Sequence, residues 1–148
     1  MLAHATILAA EDQECAAMLL KAAYEATGLP NRLVIVEDGQ CAVDYLKGKP
    51  PYHDRAQNPL PGMLLLDLKM PRADGFEVLA WLRKSREFSA LPVVVLSSSP
   101  READIKRATE LGAREYLIKP LGYHELAGLL KDAAERWLPA ARWVPSRE

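Results

Sequence analysis

The sequence has few of the features that mark disulfide-bonded, secreted or membrane proteins. Its two cysteines, Cys15 and Cys41, show no metal-ligand spacing and provide no disulfide framework. We predict that each packs as a small hydrophobic residue near the start of a helix. No apolar run approaches the roughly 20 residues that span a bilayer, and the start of the chain lacks the basic segment of a signal peptide. These absences predict a soluble, cytoplasmic protein with no membrane partner.

A strong excess of charge of either sign is also missing. The chain carries 19 lysines and arginines against 20 aspartates and glutamates, a formal net charge of −1. Because nucleic-acid-binding domains usually carry a basic excess, we predict no nucleic-acid partner. The three histidines, His4, His53 and His124, are isolated from one another along the chain. We interpret them as solvated or packed residues rather than ligands.

The most informative stretch present is an apolar run that ends on a carboxylate. Residues 63–66 are all apolar and Asp67 follows them directly, which is typical of a parallel strand buried on both faces. Pro71 forces an extended or turn conformation on the residue before it. Asp74 then precedes a helical pattern and predicts a turn or cap there. We therefore expect Asp67 at the tip of a strand.

The rest of the chain repeats this alternation of strand and helix. The repeats predict a single α/β domain with a parallel sheet and helices on both faces. The segment from Lys47 to Gly62 is rich in proline and glycine and predicts a long loop. Five strands are predicted at residues 6–10, 33–36, 63–66, 92–96 and 116–118.

Polar residues follow most of these strands, and the carboxyl ends of parallel strands share one edge of a sheet. The residues at these tips are Glu11, Asp12, Glu37, Asp38, Asp67, Ser97 and Lys119. Carboxylates without nearby histidine or thiolate suit a hard cation such as Mg²⁺. A hydroxyl and an ammonium at the same edge suit a tetrahedral oxyanion. The combination indicates phosphoryl transfer to a carboxylate.

These motifs resemble the receiver domain of two-component response regulators, from about Thr6 to Leu138. The matching segments are 7–12, 66–71 with Asp74–Gly75, 95–97 and 116–120, and the spacings between Asp67, Ser97 and Lys119 are those usual in the family. The resemblance implies a flavodoxin-like fold, a doubly wound five-stranded parallel sheet in the order 2-1-3-4-5. It also implies one receiver domain over residues 1–138, then a short tail over 139–148 with no output domain.

The resemblance assigns a role to each matching residue. Asp67 is the implied phosphoacceptor. The implied ligands of Mg²⁺ (or Mn²⁺) are Glu11, Asp12, Asp67 and the backbone carbonyl of Lys69. The implied phosphoryl-binding residues are Ser97 and Lys119, and the implied switch residues are Ser97 and Tyr116. The Lys119–Pro120 peptide is expected to be cis.

The implied function is that of a signalling receiver rather than an enzyme. It accepts a phosphoryl group from a histidine kinase or phosphotransfer protein, with only Mg-dependent self-phosphorylation and slow self-dephosphorylation of its own. Output is expected through protein–protein contact, with a homodimer as one form. The 47–62 insertion is similar to that of stand-alone receivers that partner phytochrome-type histidine kinases, so we expect a kinase of this type.

Several alternatives stay open at this point. The main one is a receiver-like interaction module that is not phosphorylated, against which the complete site argues. A flavin- or nucleotide-binding protein is disfavoured because residues 11–14 are mostly acidic and would repel phosphate. A haloacid-type phosphatase would need an aspartate where Lys69 stands. The pair Glu37–Asp38 imitates Glu11–Asp12, but the expected strand order separates it from Asp67.

Some aromatic residues are less clearly assigned. Tyr116 fits a plain core position as well as a switch. Trp81 fits either a partly exposed or a contact position. Trp137 and Trp143 fit either a cap on the core or a contact between chains.

Overall fold

A computed structural model of the chain describes residues 4–138. Within this range strands and helices alternate strictly, as the sequence predicts. The strands are β1 (Thr6–Ala10), β2 (Leu33–Val36), β3 (Pro61–Leu66), β4 (Val93–Ser97) and β5 (Glu115–Ile118). The helices are α1 (Glu14–Ala26), α2 (Gly39–Lys47), α3 (Gly75–Lys84), α4 (Glu102–Glu110) and α5 (Tyr123–Trp137). All strand pairs are parallel and the order is β2-β1-β3-β4-β5, which confirms the predicted fold.

The three central strands are apolar because helices cover the sheet on both faces. Every residue of β1, β3 and β4 is buried. Successive side chains along a strand point to opposite faces, so Leu64 and Leu66 pack with α2 and α3. Met63 and Leu65 instead pack with α1 and α5. Burial on both faces explains why β3 has no polar–apolar alternation.

The helix α3 begins with a capping box. The Asp74 carboxylate accepts a hydrogen bond from the Glu77 backbone N–H, and the Glu77 side chain accepts one from the Asp74 N–H. Both bonds satisfy donors that a helix start otherwise leaves unpaired. The predicted cap at Asp74 is therefore confirmed.

The segment between α2 and β3 is a loop that folds back on α2. The Arg55 guanidinium donates to the carbonyl oxygens of Tyr45 and Leu46, at 2.8 Å each, and to that of Asn58 at 3.2 Å. The Tyr45 hydroxyl donates to the carbonyl of Pro59 at 2.8 Å. The insertion is thus tied to the last turn of α2 by side-chain hydrogen bonds.

Two predictions about individual residues are wrong. Within the described residues the one cis peptide bond is Pro50–Pro51, so the Lys119–Pro120 bond is trans. Trans is the lower-energy isomer of an X–Pro bond, and the Lys119 side chain reaches its partners from it. Cys15 is exposed on the first turn of α1 rather than packed, whereas Cys41 is half-buried.

Trp81 is half-buried and packs at the rim of the core that contains α2 and α3. Trp137 is also half-buried, and its indole N–H donates to the Glu115 carboxylate at 2.7 Å. Trp143 and the predicted tail over 139–148 lie outside the described residues. Among residues 4–138, no helix has the length and apolar character needed to cross a bilayer.

Candidate functional site

Three carboxylates meet at the carboxyl edge of the sheet. Glu11 and Asp12 follow β1 and Asp67 follows β3, and these strands are neighbours with Ala10 opposite Leu66. One oxygen from each of the three carboxylates lies within 4.8 Å of the others. Glu11 and Asp67 are buried, at 6% and 9% exposure. The strand register therefore builds the predicted acidic cluster.

The electrostatics of this cluster fit a divalent cation. Two like unit charges about 4 Å apart repel by roughly 4 kcal/mol at an effective dielectric of about 20. The Asp12 Oδ1 atom is buried and has no hydrogen-bond partner among the described residues. An ion with a preference for oxygen ligands would satisfy that atom and offset the repulsion.

The Lys119 ammonium places a positive charge against two of these carboxylates. It follows β5 and lies 2.6 Å from Glu11 Oε1 and 2.8 Å from Asp67 Oδ2. Burial alone would lower the pKa of Lys119, but the hydrogen bonds and charges of Asp67 and Glu11 outweigh burial and raise this pKa above its usual value. Lys119 is therefore protonated at neutral pH and joins three strands at the site.

The backbone around Asp67 is held in place by the start of α3. The Asp67 Oδ1 atom accepts a hydrogen bond from the Leu68 N–H at 2.7 Å, and the Gly75 N–H donates to the Leu68 carbonyl at 2.8 Å. A Cβ atom at Gly75 would lie 2.4 Å from the Asp67 carbonyl oxygen. Glycine is needed here because the helix contacts the main chain of Asp67 directly.

Ser97 and Tyr116 lie on the neighbouring strands β4 and β5. Ser97 is buried at 2% exposure, and its hydroxyl oxygen accepts a hydrogen bond from the Ser99 N–H at 3.1 Å. The Tyr116 hydroxyl donates to the Ser99 carbonyl at 2.7 Å. Tyr116 is half-buried at the margin of the core, so it combines a packing contact with a polar link to the loop after β4.

The competing acidic pair has a different role. Glu37 is exposed, and the Asp38 carboxylate caps α2 by accepting from the Cys41 N–H at 2.8 Å. Asp38 also pairs with Arg72, whose Nε lies 2.8 Å from Asp38 Oδ2. Neither acid belongs to the cluster around Asp67 that the described residues form, in agreement with the choice of Glu11 and Asp12.

Two residues of the site region were missed by sequence reasoning. Arg72 has a φ of 66° and makes a bidentate pair with Asp38, and nothing in an arginine signals a left-handed conformation. Ser99 links Ser97, Tyr116 and α4, but a serine-rich stretch before a proline predicts only a loop. The carboxylate that pairs with Arg72 is 34 residues away in the sequence, and two of the Ser99 hydrogen bonds are made by its main chain.

An acidic cluster, a protonated lysine and a buried hydroxyl at the carboxyl edge of a 2-1-3-4-5 sheet define a receiver of phosphorelay signalling. The chain belongs to the response regulator receiver domain family, which it matches over residues 7–131. The family membership confirms the fold and the class of function predicted from the sequence.

Individual relatives agree with this assignment over most of their length. The chain is 39% identical over 132 residues to the probable methanogenesis regulatory protein FilR2 of Methanothrix harundinacea, covering 89% of this chain and 83% of the relative. It is 31% identical over 132 residues to the response regulator Rcp1 of Synechocystis sp., and the match covers 89% of this chain and 88% of Rcp1.

Solved structures of phytochrome response regulators are also similar. The phosphorylated cyanobacterial phytochrome response regulator RcpA superposes with a TM-score of 0.82 at 32% identity, covering 97% of this chain and 99% of that chain. The Mn²⁺-bound form of Rcp1 superposes with a TM-score of 0.79 at 29% identity, and the match covers 96% of this chain and 99% of the Rcp1 chain. The receiver is thus homologous to phytochrome response regulators, and receivers of this kind imply a histidine kinase partner.

Proposed function

We propose that Asp67 is the residue that accepts the phosphoryl group. The observation that carries this proposal is the contact of Asp67 Oδ2 with Lys119 Nζ at 2.8 Å, inside the cluster formed with Glu11 and Asp12. Asp67 alone of the three acids follows the central strand β3 and has its backbone fixed by Gly75. A nucleophile held this firmly loses little freedom on reaction.

The chemical step is a transfer from a phosphohistidine. A carboxylate oxygen of Asp67 forms a bond to phosphorus while the bond from phosphorus to the imidazole nitrogen of the donor breaks. That nitrogen keeps the electron pair, and because the other nitrogen of the ring carries a proton, the donor leaves as neutral imidazole. The product is an aspartyl phosphate. Lys119 then pairs with an oxygen of the phosphoryl group, and the Ser97 hydroxyl donates a hydrogen bond to another.

A divalent cation bound at this cluster would neutralise charge between the carboxylates and the incoming phosphoryl group. We propose Mg²⁺, with Mn²⁺ as a substitute, held by Glu11, Asp12, Asp67 and the Lys69 backbone carbonyl. The buried Asp12 Oδ1, which has no hydrogen-bond partner within residues 4–138, supports this assignment, as does the Mn²⁺ form of the relative Rcp1. Self-phosphorylation from small donors and slow self-dephosphorylation follow from the same site.

We also propose that the phosphodonor is a cytoplasmic histidine kinase of the phytochrome type. The support is the similarity to RcpA, a phytochrome response regulator, over 97% of this chain. Output is proposed to run through protein–protein contact, including a homodimer. The exposed apolar residues Ile118 and Leu121, at 46% and 102% exposure, are available for such contact.

The test is a labelling experiment with Asp67→Asn and two kinds of donor. Intact mass after incubation with acetyl phosphate and Mg²⁺ should show one added phosphoryl group in the unaltered chain and none in the variant. The Glu37→Gln variant changes an exposed acid of the competing pair and should label normally. Phosphotransfer from a panel of kinases should favour a phytochrome-type member.

Two results would contradict the proposal separately. Mg²⁺-dependent labelling of a folded Asp67→Asn variant would show that the acceptor lies elsewhere. Normal labelling by acetyl phosphate combined with no preference for the phytochrome-type kinase would leave the acceptor assignment intact and refute the partner.

A further inference from the structure

Ser99 is a buried residue at which three parts of the domain meet. It is 7% exposed and lies two residues beyond Ser97, in the loop between β4 and α4. Its N–H donates to the Ser97 hydroxyl at 3.1 Å, and its carbonyl accepts from the Tyr116 hydroxyl at 2.7 Å. Its own hydroxyl donates to the Asp104 carboxylate in α4 at 2.6 Å. One residue thus contacts β4, β5 and α4 through three different groups.

The start of α4 depends on this residue. Arg101 occupies the position before the helix, and its side chain makes no capping hydrogen bond. The Ser99 hydroxyl supplies hydrogen bonds at the helix start instead. Its oxygen accepts a hydrogen bond from the Arg101 N–H at 3.3 Å, and its O–H donates one to the Asp104 carboxylate in the first turn. The free N–H groups and the dipole of a helix start make such contacts stabilising. The first turn of α4 is therefore fastened to the loop and not capped from within.

The same loop is coupled to Ser97 through the main chain. If the Ser97 hydroxyl turns toward a phosphoryl group on Asp67, the Ser99 N–H either follows it or loses its partner. A buried N–H without a partner is unfavourable, so Ser99 is expected to move with Ser97. A displacement of Ser99 is passed to α4 through the bond to Asp104.

We propose that Ser99, through Asp104, is the positioning residue that makes the start of α4 report the phosphorylation state of Asp67. This inference rests on the proposed function, in which Ser97 contacts the phosphoryl group. It assigns the coupling to two side chains, the Ser99 hydroxyl and the Asp104 carboxylate. The Tyr116 hydroxyl donates its hydrogen bond to the main-chain carbonyl of Ser99. That hydrogen bond is therefore kept when the Ser99 side chain is shortened to alanine.

The test measures amide hydrogen exchange of the α4 segment with and without beryllofluoride and Mg²⁺, in the full chain. In the unaltered protein the phosphoryl mimic should change exchange at residues 102–106. Ser99→Ala and Asp104→Ala should lose most of that change, and the double variant should lose no more than Ser99→Ala does. Asp104→Asn keeps an oxygen acceptor for the Ser99 hydroxyl, so this variant should keep most of the change in exchange that the mimic causes. Ser98→Ala, an exposed neighbour, is the matched control and should behave as the unaltered protein.

A merely structural cap predicts a different result. Ser99→Ala would then raise exchange in α4 by the same factor with and without the mimic and leave the difference between the two states unchanged, which would overturn the inference. Labelling of Asp67 by acetyl phosphate is measured in parallel and should persist in Ser99→Ala. No response of the unaltered protein to the mimic, together with no labelling, would overturn the proposed function and with it the inference. Normal labelling with equal α4 responses in all variants would overturn the inference alone.

Discussion

Arg72 shows how one side chain can stabilise an unfavourable backbone conformation near the site. Its φ of 66° lies in the left-handed region, which is costly for a residue with a Cβ atom. Its guanidinium makes two hydrogen bonds with the Asp38 carboxylate, at 2.8 and 3.1 Å. A Cβ atom at Gly39 would lie 2.0 Å from the Ala73 carbonyl oxygen, so the same two loops also pack main chain against main chain. The pair thus joins the loop after β3 to the start of α2.

The Asp38–Arg72 pair predicts a pH-dependent contribution to stability. Burial by itself raises the pKa of Asp38, but the hydrogen bonds from Arg72 and the Cys41 N–H outweigh it and lower this pKa below its usual 3.8. A carboxyl group with a lowered pKa contributes stability that is complete above its unfolded-state pKa and is lost as the pH falls through the folded-state pKa. Arg72→Ala should therefore lower the free energy of unfolding near pH 7, and its difference from the unaltered protein should shrink below about pH 4.

Urea denaturation between pH 3 and pH 7 measures this difference. Arg72→Gly loses the same pair but relieves the left-handed strain, so it should be less destabilising than Arg72→Ala at every pH. Arg86→Ala changes an exposed arginine of the α3–β4 connection and serves as the control. A gap between Arg72→Ala and the unaltered protein that stays constant down to pH 3 would contradict the role of the pair.

At this scale the sequence predicts residues whose chemistry is tied to a strand tip. Asp67 and Lys119 are found because an apolar run ends directly before each of them, and parallel strands bring such ends together. Arg72 is not found because its partner, the Asp38 carboxylate, is distant in sequence. Ser99 is not found because its contacts with Ser97, Asp104 and Tyr116 depend on how the loop between β4 and α4 folds. Residue type carries no information about those contacts until the loops are placed.

The loop between α2 and β3 is the element whose structure the sequence predicts least. Its prolines and glycines indicate a loop, but not that Arg55 would bind the carbonyl groups at the end of α2. The last carbonyls of a helix lack partners within the helix. Here Gly48 adopts a left-handed conformation at the cap, and Arg55 donates to the carbonyls of Tyr45 and Leu46. The loop is therefore fixed to the last turn of α2 by hydrogen bonds and does not project freely from the domain.

Arg55→Ala should release this loop from the helix. A hydrogen bond to a charged donor contributes about 1.5–3 kcal/mol, and because Arg55 is half-buried we expect a total loss of about 2 kcal/mol. Lys49→Ala removes an exposed charge from the same loop and should have little effect. Urea denaturation gives the free energy, and amide exchange of residues 45–60 should rise in Arg55→Ala alone. Equal stability of the two variants would show that the Arg55 contacts contribute nothing.

The elements themselves are predicted well because their signals are local. The apolar runs of β1, β3 and β4 and the cap at Asp74 follow from strand burial and helix capping, and the boundaries agree to within a residue or two. The β4 strand extends one residue beyond its predicted end at Leu96 and includes Ser97. That shift occurs because Ser97 continues the pairing with β5, opposite Ile118, and pairing between strands is not visible in one apolar run.

On the scale of the whole domain, the site joins strands that are not neighbours. The Lys119 ammonium after β5 reaches Glu11 after β1, although β3 and β4 lie between these strands in the sheet. Because the acids come from the loops after β1 and β3 and the ammonium from the loop after β5, these groups keep their geometry only in the folded sheet. Any ligand that binds this constellation should stabilise the entire domain, since the unfolded chain offers no such arrangement.

Mg²⁺ should therefore raise the global stability of the protein in a way that depends on Asp12. A ligand at 100 times its dissociation constant adds about 2.7 kcal/mol to the free energy of unfolding when it binds only the folded state. Asp12→Asn should lose most of this gain. It should also be more stable than the unaltered protein when the metal is chelated, because one of the mutually repelling charges of the cluster is removed. Thermal and urea unfolding with Mg²⁺ or EDTA at matched ionic strength measures both effects, and Asp132→Asn, an exposed acid of α5, should respond as the unaltered protein does. If Mg²⁺ stabilises Asp12→Asn as much as it stabilises the unaltered protein, the Asp12 carboxylate is not a ligand. If Asp12→Asn and the unaltered protein are equally stable in EDTA, repulsion between the carboxylates does not lower the stability of the metal-free protein.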